Sequence, residues 1–258
     1  MNAHPRSNEI NWDIGSILTL ASKRDARTLE LIARLARVVL DPFSIIENPS
    51  EHLPPLLGPS IDRMAQHLAF SRPIRRALAT SLGLDSIGPM DGLVERLPDR
   101  SASRLSVLLV TEPAETIRSA ALNTAAAILH KRIVVLLFKS DRERIRAAFG
   151  SAGFRLATQE APLLYQGLAE IDRDEVGERV LEQSSPEETK SCALAVGLAA
   201  LRRLLYSCES VLLPIFDLRW ASLDAVIPCS APALAEHQCK QLVKLLGRGA
   251  RTWPAIIG

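Results

Sequence analysis

Few side chains in this sequence suit covalent or metal chemistry, and their spacing decides what each could do. His52 lies in a proline-rich stretch and could serve as a base, but no Ser, Cys or acidic partner can be assigned to it from the sequence. A structural or interface histidine is the better reading. Cys229, His237 and Cys239 come closest to a metal cluster. Their spacing matches no standard zinc site and a fourth ligand would have to come from elsewhere, which favours a core cysteine on a helix with an exposed histidine beside it. The carboxylate pairs Glu187 with Glu188 and Asp172 with Asp174 fall where helix starts and loops accept acidic groups. The patterns G-x-x-x-x-G-K-[ST], G-x-G-x-x-G, H-E-x-x-H and G-x-S-x-G are absent, so no phosphate cradle, zinc hydrolase or nucleophile elbow is indicated. The residues therefore point away from catalysis, with no catalytic residue, no cofactor and no metal to assign.

Elements that could position a site are mostly helical. Pro186 to Ser207 is the organising stretch, with ten uncharged residues from Cys192 to Leu201. Ser185 can cap it, Pro186 suits its first turn, and Glu188 completes a capping box. Ala193, Val196, Ala200 and Leu204 make one apolar stripe and Leu194, Leu198, Leu201 and Leu205 the next, so a buried helix is predicted, with Gly197 and the alanines admitting close neighbours. Lys190, Arg202 and Arg203 bracket the run and argue against a membrane span, which needs about 20 apolar residues.

Elsewhere the pattern predicts a helix within Trp12 to Val39 whose buried face holds Leu29, Ile32, Leu35, Ala36 and Val39. Lys23, Arg24, Arg27, Arg34 and Arg37 fall mostly outside that face; they could meet phosphates, although Asp25 and Glu30 interrupt them and a solvated face is the plainer reading. Five prolines between Pro42 and Pro59 exclude a long helix there, and the apolar residues among them should lie on the core or on a partner. Residues 84 to 102 form the longest loop-like stretch and the place for any internal boundary. Arg104 to Val110 begins a helix or strand, and Pro113 to Lys131 reads as a helix with Ile117, Ala121, Thr124 and Ile128 on one stripe. Ile133 to Phe138 is apolar and β-branched; it is taken as a buried helical turn, with a strand as the other option. Ser140 to Glu143 reads as a capping box opening a helix that ends near Gly150, and Ser151 to Tyr165 as a further helix. A short helix follows around Asp174 to Gln183, residues 211 to 219 could be extended in part, and Ala231 to Leu246 closes the chain with Ala235, Cys239, Leu242, Val243 and Leu246 buried and Gly247 as its stop.

Composition agrees. Of 258 residues only 4% are aromatic, and long alternating β-branched runs are scarce. The fold class expected is mainly all-α, one compact multi-helix domain with at most one or two short strands. Lys plus Arg count 31 against 29 Asp plus Glu, a net charge of +2 that gives no general pull toward nucleic acid. The four cysteines lack C-x-x-C spacing and are read as reduced, implying a cytoplasmic setting; the N-terminus shows no apolar signal-peptide core.

Four stretches together resemble the SctK family, the accessory component of bacterial type III secretion sorting platforms. They are FSIIENPSEHLPPLL from Phe43 to Leu57; the helix order from Leu105 to Leu164 containing AAFGSAGFRLATQEAPLL; the central helix with Gly197 followed by LLPIFDLRW; and LAEHQCKQLVKLL near the C-terminus. The resemblance rests on their order and spacing across roughly residues 40 to 247. It divides the chain into an N-terminal extension and amphipathic helix, residues 1–39, and an SctK-like helical domain, residues 40–250. It implies a non-enzymatic adaptor at the cytoplasmic face of the inner membrane, held there through the secretion machine. Its partners would be the cytoplasmic domain of the SctD-type inner-membrane ring protein and the SctQ-type pod protein, with no nucleic acid and no direct membrane insertion. The candidate contact surface is His52, Leu53, Pro54, Pro55 and Leu56. Two other readings remain: a regulatory or nucleic-acid binder acting through the Arg-rich face of residues 23 to 37, and a hydrolase using His52 or His237.

Overall fold

Ser185 opens the longest helix. Its hydroxyl accepts the Glu188 backbone N–H at 3.1 Å while the Glu188 carboxylate accepts the Ser185 N–H at 3.3 Å, and Pro186 occupies the first turn, where no N–H partner is needed. The computed structural model describes residues 26–40, 91–172, 176–220 and 233–249, together with Trp253 and Ile257. Its helices are α1 (Ala26–Leu40), α2 (Asp91–Arg96), α3 (Ser101–Thr111), α4 (Ala114–Ile128), α5 (His130–Val134) and α6 (Lys139–Arg155). A π-helical turn (Leu156–Glu160) leads into α7 (Ala161–Leu164), and a 3-10 turn (Gln166–Ile171) precedes α8 (Val176–Glu182). The central helix is α9 (Pro186–Cys208); a 3-10 turn (Ser210–Leu212), α10 (Leu213–Trp220) and α11 (Glu236–Gly249) complete the order. No strand occurs among the described residues, so the mainly all-α expectation holds.

The core is built around α9. It packs chiefly along α4 and also against α3, α6, α8 and α10, while α11 lies on α3 and α4. Thr189, Ala193, Leu198, Ala200, Leu201, Leu204 and Leu205 of α9 are buried, as are Ile117, Ala121, Thr124 and Ile128 of α4, the stripe that periodicity predicts. Each fully buried Leu or Ile contributes about 1.5–3 kcal/mol of hydrophobic free energy. By length and composition α9 could cross a membrane, but a core helix meets the same criterion, and Ala193, Leu198, Leu201, Leu204 and Leu205 are buried here, with Leu194 and Val196 half-buried. Gly197 sits where α9 crosses α4, and a Cβ there would run into the Ala121 carbonyl. The glycine permits a backbone-to-backbone approach.

Several expectations shift. The buried face of α1 is Thr28, Leu31, Ile32, Leu35 and Val38, rotated from the predicted stripe so that Leu29 and Ala36 are only half-buried. It packs on α3, and its apolar residues belong to the same continuous core as the later helices. Residues 91–96 are helical, with Leu93, Val94 and Leu97 buried, so this part of the loop-like stretch is packed into the body. Residues 101–111 settle as helix. The capping box at Ser140 does not form: α6 starts one residue earlier, with Phe138 in extended backbone ahead of it and no side-chain cap. Gly150, at φ 72°, breaks the regular helical backbone inside α6, which is where the sequence places a helix end. Residues 213–220 are helical rather than extended, because Pro214 stands in the first turn of α10, where its missing N–H costs nothing. In α11 the buried residues are Gln238, Leu242, Leu245 and Leu246; Ala235 is exposed, Cys239 and Val243 are half-buried, and the helix runs past Gly247 to Gly249.

Charged pairs fix the ends of these elements. The Arg96 guanidinium grips the Glu209 carboxylate at 3.0 and 2.6 Å, with the Ser103 hydroxyl donating to it at 2.5 Å, and so ties α2 to the residue that ends α9. Arg202 binds Asp217 in the same two-pronged way at 2.6 and 2.7 Å, joining α9 to α10.

Candidate functional site

The feature that needs explaining is the passage from α5 to α6, HKRIVVLLFKS. Ile133 is buried and Leu136 packs partly against the core, so both anchor the turn. Between and beyond them Val134 is 51% exposed, Val135 68%, Leu137 89% and Phe138 70%. The turn closes through the Leu136 N–H donating to the Ile133 carbonyl at 3.3 Å, and the Phe138 carbonyl then accepts the Arg142 N–H at 3.2 Å to start α6. Helix α7 packs beside α5 and adds Leu163, 77% exposed, and Leu164. The result is an apolar ridge facing water. Scattered single apolar residues on a surface are ordinary, but four exposed within one five-residue run, with two more on the helix packed beside α5, point to a binding surface.

Polar residues around the ridge are unequal in their commitments. Arg132 is held from both sides, by Asp172 at 2.5 Å and Glu178 at 3.1 Å, and the Asp172 hydrogen bond raises its already high pKa. It pins the base of α5 and is not available to a partner. Lys139 approaches Glu143 at 3.7 Å with its side chain 90% exposed. Lys131 and Arg142 are exposed and make no ion pair among the described residues. The ridge is therefore flanked by positive charge, which complements an apolar surface rimmed by carboxylates.

Nothing comparable supports catalysis. A cavity of about 330 Å³ lies between α4 and α11, lined by Glu115, Thr116, Ser119, Asn123, Leu246 and Trp253 among others. Its one acid, Glu115, has an 84% exposed side chain and is paired with Arg118 at 2.6 Å, and no His, Cys or Lys lines the cavity to activate the Thr116 or Ser119 hydroxyl. His130 is buried with its Nδ1 at 2.8 Å from the Ala127 carbonyl, a local contact across the junction of α4 and α5. His237 meets Glu170 at 3.3 Å, with both side chains about half exposed, as a surface pair. Among the described residues no group of three His, Cys, Asp or Glu is gathered as a metal site would require.

His52, Leu53, Pro54, Pro55 and Leu56 lie outside the described residues, as does Cys229. His237 and Cys239 stand together on the first turns of α11 but turn to different neighbours, His237 to Glu170 and Gly167, Cys239 to Cys208. Of the basic residues proposed for phosphate binding, Arg27 and Arg37 are exposed on α1, whereas Arg34 is bound to Glu112 at 2.5 Å and Glu30 at 2.7 Å. That pairing weakens the Arg-rich face as a nucleic-acid surface.

The apolar ridge corrects the reading of Ile133 to Phe138 as buried: the run is partly a helical turn, but only Ile133 is fully covered. Its signal in the sequence is the placing of Lys131 and Lys139 on either side of six apolar residues with no polar alternation. No protein-family model, curated protein or solved structure matches this chain.

Proposed function

We propose that this chain is a non-enzymatic adaptor of the SctK type, acting in the type III secretion sorting platform. It joins the SctD-type inner-membrane ring protein to the SctQ-type pod, and through it to the stator and ATPase. Support comes from the order of the four SctK-like stretches and from an all-helical body. The observation that carries an adaptor role is the ridge of Val134, Val135, Leu137, Phe138, Leu163 and Leu164, an apolar surface with a basic flank. It seats one partner, a protein surface with an apolar pocket and a rim of carboxylates. Covering Leu137 and Phe138 would contribute about 1.5–3 kcal/mol each before the costs of association are subtracted.

The test is capture of the tagged chain from a secreting strain. Wild type recovers the SctQ-type protein and the ring protein, and Leu137→Asp with Phe138→Asp loses at least one of them. Because both side chains face water, the double variant keeps its fold to within about 0.5 kcal/mol per site. Recovery of neither partner by the wild type would remove the adaptor assignment. Leu53→Asp with Leu56→Asp tests the proline-rich stretch in the same assay.

A further inference from the structure

Two cysteines far apart in sequence meet where α9 ends and α11 begins. Cys208 is the last residue of α9 and Cys239 stands in the first turns of α11; both are half-buried against the core. Their thiols lie close enough that each shifts the other's pKa, Cys208 up and Cys239 down, and neither is in a disulfide. The approach is held from both sides. The Leu234 N–H donates to the Ser207 hydroxyl at 3.0 Å, fastening the segment that enters α11 to the end of α9, and the Ala235 N–H donates to Gln238 Oε1 at 3.0 Å to shape that start. Ser207 also reaches the Arg203 carbonyl, at 2.9 Å, and the Cys239 sulfur, and has one proton to offer to either. Cys192 is no competitor, since sixteen residues along α9 place it about 24 Å away.

We propose that Cys208 and Cys239 are an oxidation site, a thiol pair that a hydroperoxide converts to an intramolecular disulfide joining α9 to α11. The environments of the two sulfurs divide the roles. Contact with the Cys208 thiol holds the Cys239 thiol down to about 7, helped by Ser207 and the residue's own N–H and opposed by burial. Cys208 is pushed up by the same contact, then by burial and by the Glu209 charge, so it keeps its proton. Cys239 is the attacking thiolate. Its sulfur takes the distal oxygen of the hydroperoxide, the O–O bond breaks, and the leaving alkoxide or hydroxide takes up the proton that Cys239 released. Cys208 then attacks the sulfenic sulfur; the S–S bond forms, the S–O bond breaks, and the Cys208 proton leaves with that oxygen as water. Two electrons pass from the two sulfurs to one peroxide, and no other reagent is needed.

At pH 7 the lowered pKa leaves more of Cys239 as thiolate than an unperturbed cysteine carries, which outweighs the somewhat lower nucleophilicity of a lower-pKa thiolate. The experiment is hydrogen peroxide added in small excess to the reduced full chain at pH 7, followed by non-reducing digestion and mass spectrometry. The expected product is one peptide pair linking Cys208 to Cys239 with the loss of two hydrogens. In Cys208→Ser, dimedone should trap a sulfenic acid on Cys239; in Cys239→Ser, Cys208 should stay reduced. The rate of Cys239 alkylation by iodoacetamide should rise with pH about a midpoint near 7. A disulfide to Cys229 or Cys192, first oxidation at either of those, no reaction of the pair, or an alkylation midpoint above about 8.5 would each overturn the assignment.

Discussion

Gly197 and Ala121 meet with no room for one more carbon between α9 and α4. Replacing a mid-helix glycine with alanine ordinarily gains about 1 kcal/mol of helix propensity. Here the added Cβ must force the two central helices apart, and overpacking of this kind costs about 1–3 kcal/mol. Gly197→Ala is therefore expected to lower the urea midpoint, and a raised midpoint would contradict the close crossing. Glu209 is a second sensitive residue, with its carboxylate 2% exposed and satisfied only by Arg96 and Ser103 among the described residues. Arg96→Leu leaves that charge buried with one hydroxyl. Loss of a partner from a buried pair costs about 3–5 kcal/mol, but Arg96 is itself 39% exposed and water can replace part of it, so about 2 kcal/mol is expected. Adding Glu209→Gln to Arg96→Leu should restore part of the loss, with a coupling above about 0.5 kcal/mol in the double-mutant cycle. Strict additivity would deny the pair its role.

Among the elements, α9 was the most readable from sequence because its start is local: Ser185, Pro186 and Glu188 specify a cap within four residues, and that cap forms. The α4 stripe is legible for the same reason, since periodicity alone places Ile117, Ala121, Thr124 and Ile128 inward. Where tertiary contacts decide, the sequence misleads. Ser140 to Glu143 has the residues of a capping box, yet Phe138 sets the start of α6. The run Ile133 to Phe138 has every residue type of a buried segment, and only its surroundings show that four of its six side chains face water. The meeting of Cys208 and Cys239 is likewise invisible in spacing, because it depends on how α11 returns to the end of α9. The element-scale prediction follows from the ridge. Leu137→Asp with Phe138→Asp should weaken partner affinity by about 100-fold or more, from about 3 kcal/mol of lost burial, without changing the circular dichroism spectrum. Unchanged affinity would place the contact elsewhere, with the proline-rich residues His52 to Leu56 next to be tried.

For the molecule as a whole, the described residues form one helical body arranged around α9, with its polar clusters used as ties between helices and its apolar ridge left outside. Fold alone does not give function, so the proposed adaptor role rests on that exposed ridge and on the partners it would seat. The measurement that bears most directly on this claim is size-exclusion chromatography with light scattering, on the chain alone and mixed in turn with the SctQ-type protein and the cytoplasmic domain of the ring protein from the same organism. The account predicts a shift into a complex of defined mass with each, and loss of at least one shift in the Leu137→Asp, Phe138→Asp variant. A chain that elutes unchanged beside both partners would contradict it.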